Sequence, residues 1–297
     1  MDKSVDIAFV VLHYMVKDIT VKCVETIKER IDTENYCIII VDNASNNGTG
    51  VEITKKYEND KNVKVIINKS NLGFAKGNNV GYMYAKTYCN PDYIIMLNND
   101  VFINNYDLKQ CLDRKYLQCQ FAVLGPLILT RDGKCNINPV RDTPIKRREV
   151  EKNIKMYKRI LFLSKYHLLT VYTVLSNIIH SVINCVSTKK KSVKNYMLEK
   201  RNVQLHGCFW AFSRKFIEKF DGLDDRTFLY MEEDILYKHM LENKMLMIYC
   251  PDIVVYHEED ASTNSMYKKQ KEKIKMTYSN YIESAQVLLN ILKEYSN

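Results

Sequence analysis

One pattern constrains this chain more than any other. Across the first 130 residues, short β-branched runs alternate with helical periodicity, and each run ends in a cluster of polar side chains. Strands are predicted at about 5–12, 36–41, 62–67 and 93–97, with another over 121–129 and helices between them. Such alternation specifies stacked βαβ units and a largely parallel sheet. The polar clusters are His13-Tyr14, Asp42-Asn43, Asn68 to Asn71, and Asn98-Asn99-Asp100. Open α/β sheets bind ligands beyond the carboxyl ends of their strands, so four such ends point to one shared crevice. With 297 residues and 46% apolar content, the chain can bury one large α/β domain carrying an embellishment.

The embellishment is marked by charge. The net charge is +9, yet residues 141–201 hold fifteen Lys or Arg against four Asp or Glu, while the remainder holds 29 against 31. Within this basic stretch, polar residues recur at 164, 167, 170, 173, 177, 180 and 184 on an otherwise apolar run, the mark of a helix with a narrow polar stripe. The α/β pattern resumes at 203, with a helix over 233–243, short strands near 245–249 and 253–256, and a closing helix over 268–293. The expected division is therefore 1–130, an insert at 139–201, 203–265, and a terminal helix over 266–297.

The apolar run near the N-terminus, Ile7 to Leu12, is short and reads as a buried strand rather than a signal peptide. No stretch reaches the roughly 18–20 charge-free apolar residues of a membrane span, so a cytosolic location is expected. Nine cysteines without a C-x-x-C pair read as reduced, mostly buried thiols.

Three segments carry chemistry. In IIVDNASNNGTG, 39–50, a buried strand delivers Asp42 and Asn43 into a Ser/Asn/Gly loop, which suits either a carboxylate facing a nucleobase or ribose, or an Asx turn starting the next helix. NKSNLGFAKGNNVG, 68–81, packs glycines and asparagines at a helix start, a place that favours close backbone approach and an anionic group, though its spacing matches no generic phosphate loop. In YIIMLNNDVFI, 93–103, two apolar runs flank Asn98, Asn99 and Asp100. That is either a tight turn between strands or a cleft site; a carboxylate with neighbouring amide oxygens suits Mg²⁺ or Mn²⁺.

The order VDNAS, NLGFAKGNN, LNND, followed by HGCFWAFSRKFIEKFDGLDDRTFLYMEEDILYKHMLENKMLMIYCPDIVVYH, resembles the family 2 glycosyltransferases of GT-A fold, closest to the branch with rhamnosyltransferases and other O-antigen or capsule enzymes. The resemblance covers about residues 5–130 and 203–263. It implies a Rossmann-like, mostly parallel sheet flanked by helices. It puts Tyr14 and Asp42 beside the nucleobase of a nucleotide-sugar donor, a UDP-sugar or dTDP-rhamnose, with Asn43 nearby. Asn71, Gly73, Gly77 and Asn78 would line the nucleoside-diphosphate pocket with Asn98 and Asn99. Asp100 stands at the last carboxylate of the family's Asp-x-Asp element and would hold the metal with His257; Asn98 replaces the first carboxylate, a departure that weakens the metal assignment. His206, Gly207 and Trp210 fall in the acceptor loop, where Trp210 would either stack on a sugar ring or pack in the core.

Glu232-Glu233-Asp234 falls at a helix start near the acceptor, where carboxylates are also ordinary first-turn residues. Adjacent acids repel and tend to raise at least one pKa, which suits a general base. Alignment from Leu236 puts the base of an inverting transfer on Glu233, with Asp234 the rival. The insert's basic clusters, Lys146 to Arg159 and Lys189 to Lys194, fit either peripheral docking on an anionic membrane, within reach of a glycan or lipid-linked acceptor, or a helical cap or homodimer interface. No nucleic-acid module is recognisable. The rival functions are a nucleotidyltransferase of similar fold and an inactive nucleotide-sugar-binding protein.

Overall fold

The computed structural model describes residues 4–130, 137–166, 196–258 and 270–295. Its strands are β1 (Ile7–His13), β2 (Tyr36–Asp42), β3 (Val63–Ile67), β4 (Tyr93–Asn98), β5 (Val101–Ile103), β6 (Val123–Thr130), β7 (Lys200–Arg201), β8 (Phe209–Ser213) and β9 (Met247–His257). Its helices are α1 (Lys17–Arg30), α2 (Thr49–Tyr57), α3 (Phe74–Tyr84), α4 (Leu108–Cys119), α5 (Arg147–Lys165), α6 (Arg214–Lys219), α7 (Glu232–Glu242) and α8 (Gln270–Glu294).

The described strands form one sheet in the order β3-β2-β1-β4-β8-β6-β9-β5, with β7 paired to β9. β3, β2, β1 and β4 are parallel, as the alternation predicts. The second half is mixed: β8 lies antiparallel between β4 and β6, while β6 runs parallel to β9. Sequence periodicity could not announce β8, because FWAFS is too short and too uniformly buried to show alternation.

β1 sits mid-sheet and is covered on both faces, which explains its unbroken apolar run. Ile7, Phe9 and Val11 face a layer holding α1, α2 and α4; Ala8 and Val10 face the layer holding α3, α6 and α7. The two strands predicted at 245–249 and 253–256 are a single strand, β9. Its register against β6 shifts between Pro126 and Leu127, so that residues 251–253 bulge out and Pro251, which has no N–H to give, costs no ladder bond.

A third cluster joins α5, α7 and α8 through Val150, Ile154, Met231, Ile235, Ala285 and Leu288. The described part of the insert is thus a helical cap, with α5 antiparallel to α8: Val150 packs in the cluster with the C-terminal end of α8, and Tyr157 stacks on Tyr281 nearer its start. Most of the polar-striped run, and Lys189 to Lys194, lie outside the described residues. No described helix is long and apolar enough to cross a membrane.

Candidate active site

The parallel half delivers its polar clusters to one edge, as strand-end geometry requires. His13 and Asp42, the last residues of β1 and β2, are paired in register and fully buried. The His13 Nε2 lies 3.9 Å from Asp42 Oδ1 and 2.9 Å from Thr49 Oγ1, and Nδ1 lies 2.7 Å from Thr20 Oγ1. Burial pushes the imidazole down to about 4 despite Asp42, so it is neutral at pH 7 and serves as a polar spacer. Asp42 accepts the Ser45 amide, and Gly50 passes so close that a Cβ there would meet Asp42 Oδ2 at 2.1 Å. Tyr14 is half-buried beside this pair. Both strand exits then turn through left-handed backbone at non-glycine residues, Met15 (φ 66°) and Ala44 (φ 63°), a costly conformation that clusters at binding sites.

Asn43 is spent on structure. Its amide nitrogen donates to Asn71 Oδ1 (3.0 Å) and the Gly73 carbonyl (2.9 Å), while its oxygen accepts from Asn68 and from the Leu72 amide. It therefore moulds the 68–73 loop. Gly73 has φ 80°, and a Cβ there would lie 2.1 Å from the Phe228 carbonyl oxygen, which already accepts the Phe74 amide. Gly77 lets α3 approach β1, since its Cβ would meet Leu12 at 2.9 Å, and buried Asn78 donates to the Phe74 carbonyl. These residues shape the loop and the helix start from behind.

On the far side of the crevice, β4 ends at Asn98 and the chain crosses to the opposite sheet edge as β5. Pairing Val101 with His257 sets His257 against Asp100, and the Glu258 amide donates to the Asp100 carbonyl. His257 Nε2 lies 3.2 Å from Asp100 Oδ1. Asn99 instead turns inward, donating to Thr20 at 2.9 Å, and Asn98 is held by its backbone amide on the Cys208 carbonyl. That bond brings the 206–208 loop across: His206 sits with its ring 5.8 Å from that of His257. Gly207 lies under Glu233, whose Oε1 accepts the Gly207 amide at 3.2 Å.

The three acids at the start of α7 diverge. Glu232 points into the protein, accepts from Thr227 at 3.0 Å, and is pushed up to about 8 by burial and then by Glu233. Asp234 is pushed up to about 6 by burial and Glu233, offset by the charge of Arg141 and a hydrogen bond from Gln204. Glu233 reaches the loop that spans towards Asp100. The turn into α7 passes through two consecutive left-handed residues, Tyr230 (φ 77°) and Met231 (φ 72°), which aim the three side chains apart. Trp210 is fully buried, edge-on to Phe74 and Phe212, with its ring beneath Gly207. No ring face is open to a sugar, so the stacking role expected as one possibility gives way to core packing.

Buried side-chain atoms without a hydrogen-bond partner among the described residues are Asp100 Oδ1, His257 Nδ1, Trp210 Nε1 and Gln204 Oε1. Asp100 Oδ1 and His257 Nδ1 belong to the facing pair described above. A native structure seldom leaves buried polar atoms unsatisfied unless something else engages them. No group of three or more metal-ligating side chains occurs among the described residues. An oxygen and an imidazole nitrogen fit a hard divalent cation that takes its remaining ligands from phosphate oxygens. Sequence reasoning missed Gln204 and Arg141, which bracket Asp234, because a β-bridge across the insert brings them together.

The model of the family described as glycosyl transferase family 2 matches residues 8–220. Over 106 residues the chain is 28% identical to the low-salt glycan biosynthesis hexosyltransferase Agl10 of Haloferax volcanii, a match covering 36% of this chain and 31% of that relative. Similar solved structures are S. aureus TarS 1–349 in complex with UDP-GlcNAc (TM-score 0.53, 13% identity, 93% of this chain and 66% of that one) and GalNAc-T7 with UDP, GalNAc and Mn²⁺ (TM-score 0.55, 14% identity, 87% and 44%). At such identities the structures speak to the fold, which is of GT-A type. With the family model matched from β1 past α6, across the strand ends that build the crevice, the chain belongs to glycosyl transferase family 2.

Proposed function

We propose that the chain transfers a single sugar, with inversion, from a nucleotide-sugar donor to a hydroxyl of a glycan or lipid-linked acceptor in cell-surface polysaccharide assembly. The observation that supports this reading is that Glu233 accepts the Gly207 amide on one side of the 206–208 loop, while Asn98, two residues before Asp100, donates its backbone amide to the Cys208 carbonyl and the His206 ring lies 5.8 Å from that of His257. This arrangement supports assigning a carboxylate to the acceptor and the Asp100–His257 pair to a diphosphate-bound cation. The relative hexosyltransferase, and the neighbours' UDP-GlcNAc, UDP and Mn²⁺, support a nucleotide-sugar donor such as a UDP-sugar or dTDP-rhamnose.

In this mechanism Asp42 and Tyr14 hold the nucleoside, the 68–78 loop shaped by Asn43 flanks the diphosphate, and Glu233 takes the proton of the attacking hydroxyl. Asp100 and His257 would hold Mg²⁺ or Mn²⁺, which supplies charge neutralisation at the diphosphate. Asp234 remains the second candidate for base, since a carboxyl near 6 is suited to proton transfer at neutrality, but its side chain is committed to Gln204 and Arg141. Incubation with a panel of nucleotide sugars and oligosaccharide acceptors, with and without Mn²⁺, should release nucleoside diphosphate from at least one donor. Product NMR should then show the anomeric configuration inverted. Retention, or release of pyrophosphate instead, would overturn the proposal.

A further inference from the structure

The outward face of α5 carries a second surface. Residues 148, 152, 155, 159, 162 and 166 recur at steps of three and four and so share one side of the helix, opposite Val150 and Ile154 in the third core cluster. They are Arg148, Lys152, Lys155, Arg159, Phe162 and Tyr166, with no acid among them. The helix's acidic residues sit on its flanks, where Glu149 pairs with Arg141 and Glu151 with Arg147. Toward its C-terminal end the face turns aromatic. Phe162 is 59% and Tyr166 53% exposed, their rings 4.8 Å apart, and Met156 adds a further exposed apolar side chain at 47%. The antiparallel α8 brings Lys275 and exposed Met276 to the same end.

We propose that this face docks on an anionic phospholipid bilayer, cations on the headgroups and Phe162, Tyr166 and Met156 in the interface. Four cations along one helix face match an anionic surface, and adjoining exposed large apolar side chains match the acyl boundary. The proposal deepens the reading of a lipid-linked acceptor, on which it rests. The stack Tyr157–Tyr281–Tyr230, with ring centroids 4.9 and 3.8 Å apart, runs from α5 to the residue that turns into α7. A bilayer gripping α5 therefore lies against the same wall that places Glu233.

The test is co-sedimentation of the full chain with phosphatidylcholine vesicles, with and without phosphatidylglycerol. The chain should pellet with the anionic vesicles and not with the neutral ones. The double variant Lys152→Glu/Arg159→Glu should lower partitioning by about 30-fold or more, and Phe162→Ser should weaken the binding that survives high salt. Because these side chains are exposed, thermal melts should show the variants folded. Absence of binding to anionic vesicles overturns the proposal, as does wild-type pelleting by the charge variant, which would assign binding to other basic residues. A concentration-dependent dimer broken by Phe162→Ser would overturn it in favour of a second copy. None of these readouts depends on a sugar donor, so failure of the transferase reading is scored separately by diphosphate release.

Discussion

Glu232 and Glu233 are neighbours in different surroundings, the first buried and the second half-buried at the 206–208 loop. Glu232 is buried on Thr227, and its carboxyl is pushed up to about 8 from an ordinary value near 4.5. Between those two values the native state keeps a proton that the unfolded chain has released. Stability is therefore fully present below about pH 4.5 and falls as pH rises towards 8. Glu232→Gln keeps an acceptor for Thr227 and needs no proton, so it should flatten this decline and raise stability near pH 8 by up to a few kcal/mol. Urea titrations of both proteins across pH 5–9 would measure it; parallel curves would show that Glu232 is ionised in the fold. On the opposite side of the crevice, Asp100→Ala and His257→Ala should weaken Mn²⁺-dependent donor binding, read by calorimetry with UDP and its sugars, while leaving the melting temperature close to wild type. Asp100 Oδ1 and His257 Nδ1 have no hydrogen-bond partner in the fold, so removal forfeits at most the mutual Asp100–His257 contact at 3.2 Å.

At the scale of elements, the crevice depends on loops meeting across sequence distance. Gly73 is the tightest point: left-handed backbone and a neighbouring carbonyl oxygen 2.1 Å from any Cβ exclude every other residue. Gly73→Ala should cost about 2 kcal/mol or more and lower the melting temperature by roughly 4 °C or more. A silent substitution would mean that the 68–73 and 224–231 loops are not in contact. Tyr281→Ala, which empties the middle of the aromatic stack between α5 and Tyr230, should cost about 2–4 kcal/mol. The parallel half of the sheet was legible because each of its strands is a continuous apolar run closed by polar residues. The antiparallel half was not: β5 leaves β4 for the far edge, and β8 enters between strands distant in sequence, neither of which local periodicity can encode. Among the candidate site residues, Asp42 and Asp100 were visible as polar side chains closing apolar runs, whereas Glu233 and His257 stood out only through the family resemblance. The structural duty of Asn43 and the bracket of Arg141 and Gln204 around Asp234 depend on tertiary pairing and left no local signal.

For the molecule as a whole, the proposed reading draws the donor side from the parallel half of one mixed sheet and the acceptor side from the 206–208 loop and α7, against which α5 and α8 pack. Arg148, Lys152, Lys155 and Arg159 lie on the side of α5 turned away from the third core cluster, so this cationic face and the candidate site are on different faces. That separation predicts that charge reversal on the outer face of α5 leaves diphosphate release from a soluble acceptor reaction unchanged. The central claim is that Glu233 is the base in a sugar transfer whose donor is bound elsewhere in the crevice. Its most direct test is Glu233→Gln assayed beside Asp234→Asn for donor affinity and for acceptor-dependent diphosphate release. The account predicts that Glu233→Gln binds donor like wild type and turns over about 10²- to 10⁴-fold more slowly, whereas Asp234→Asn loses less. Near-normal turnover by Glu233→Gln would contradict it.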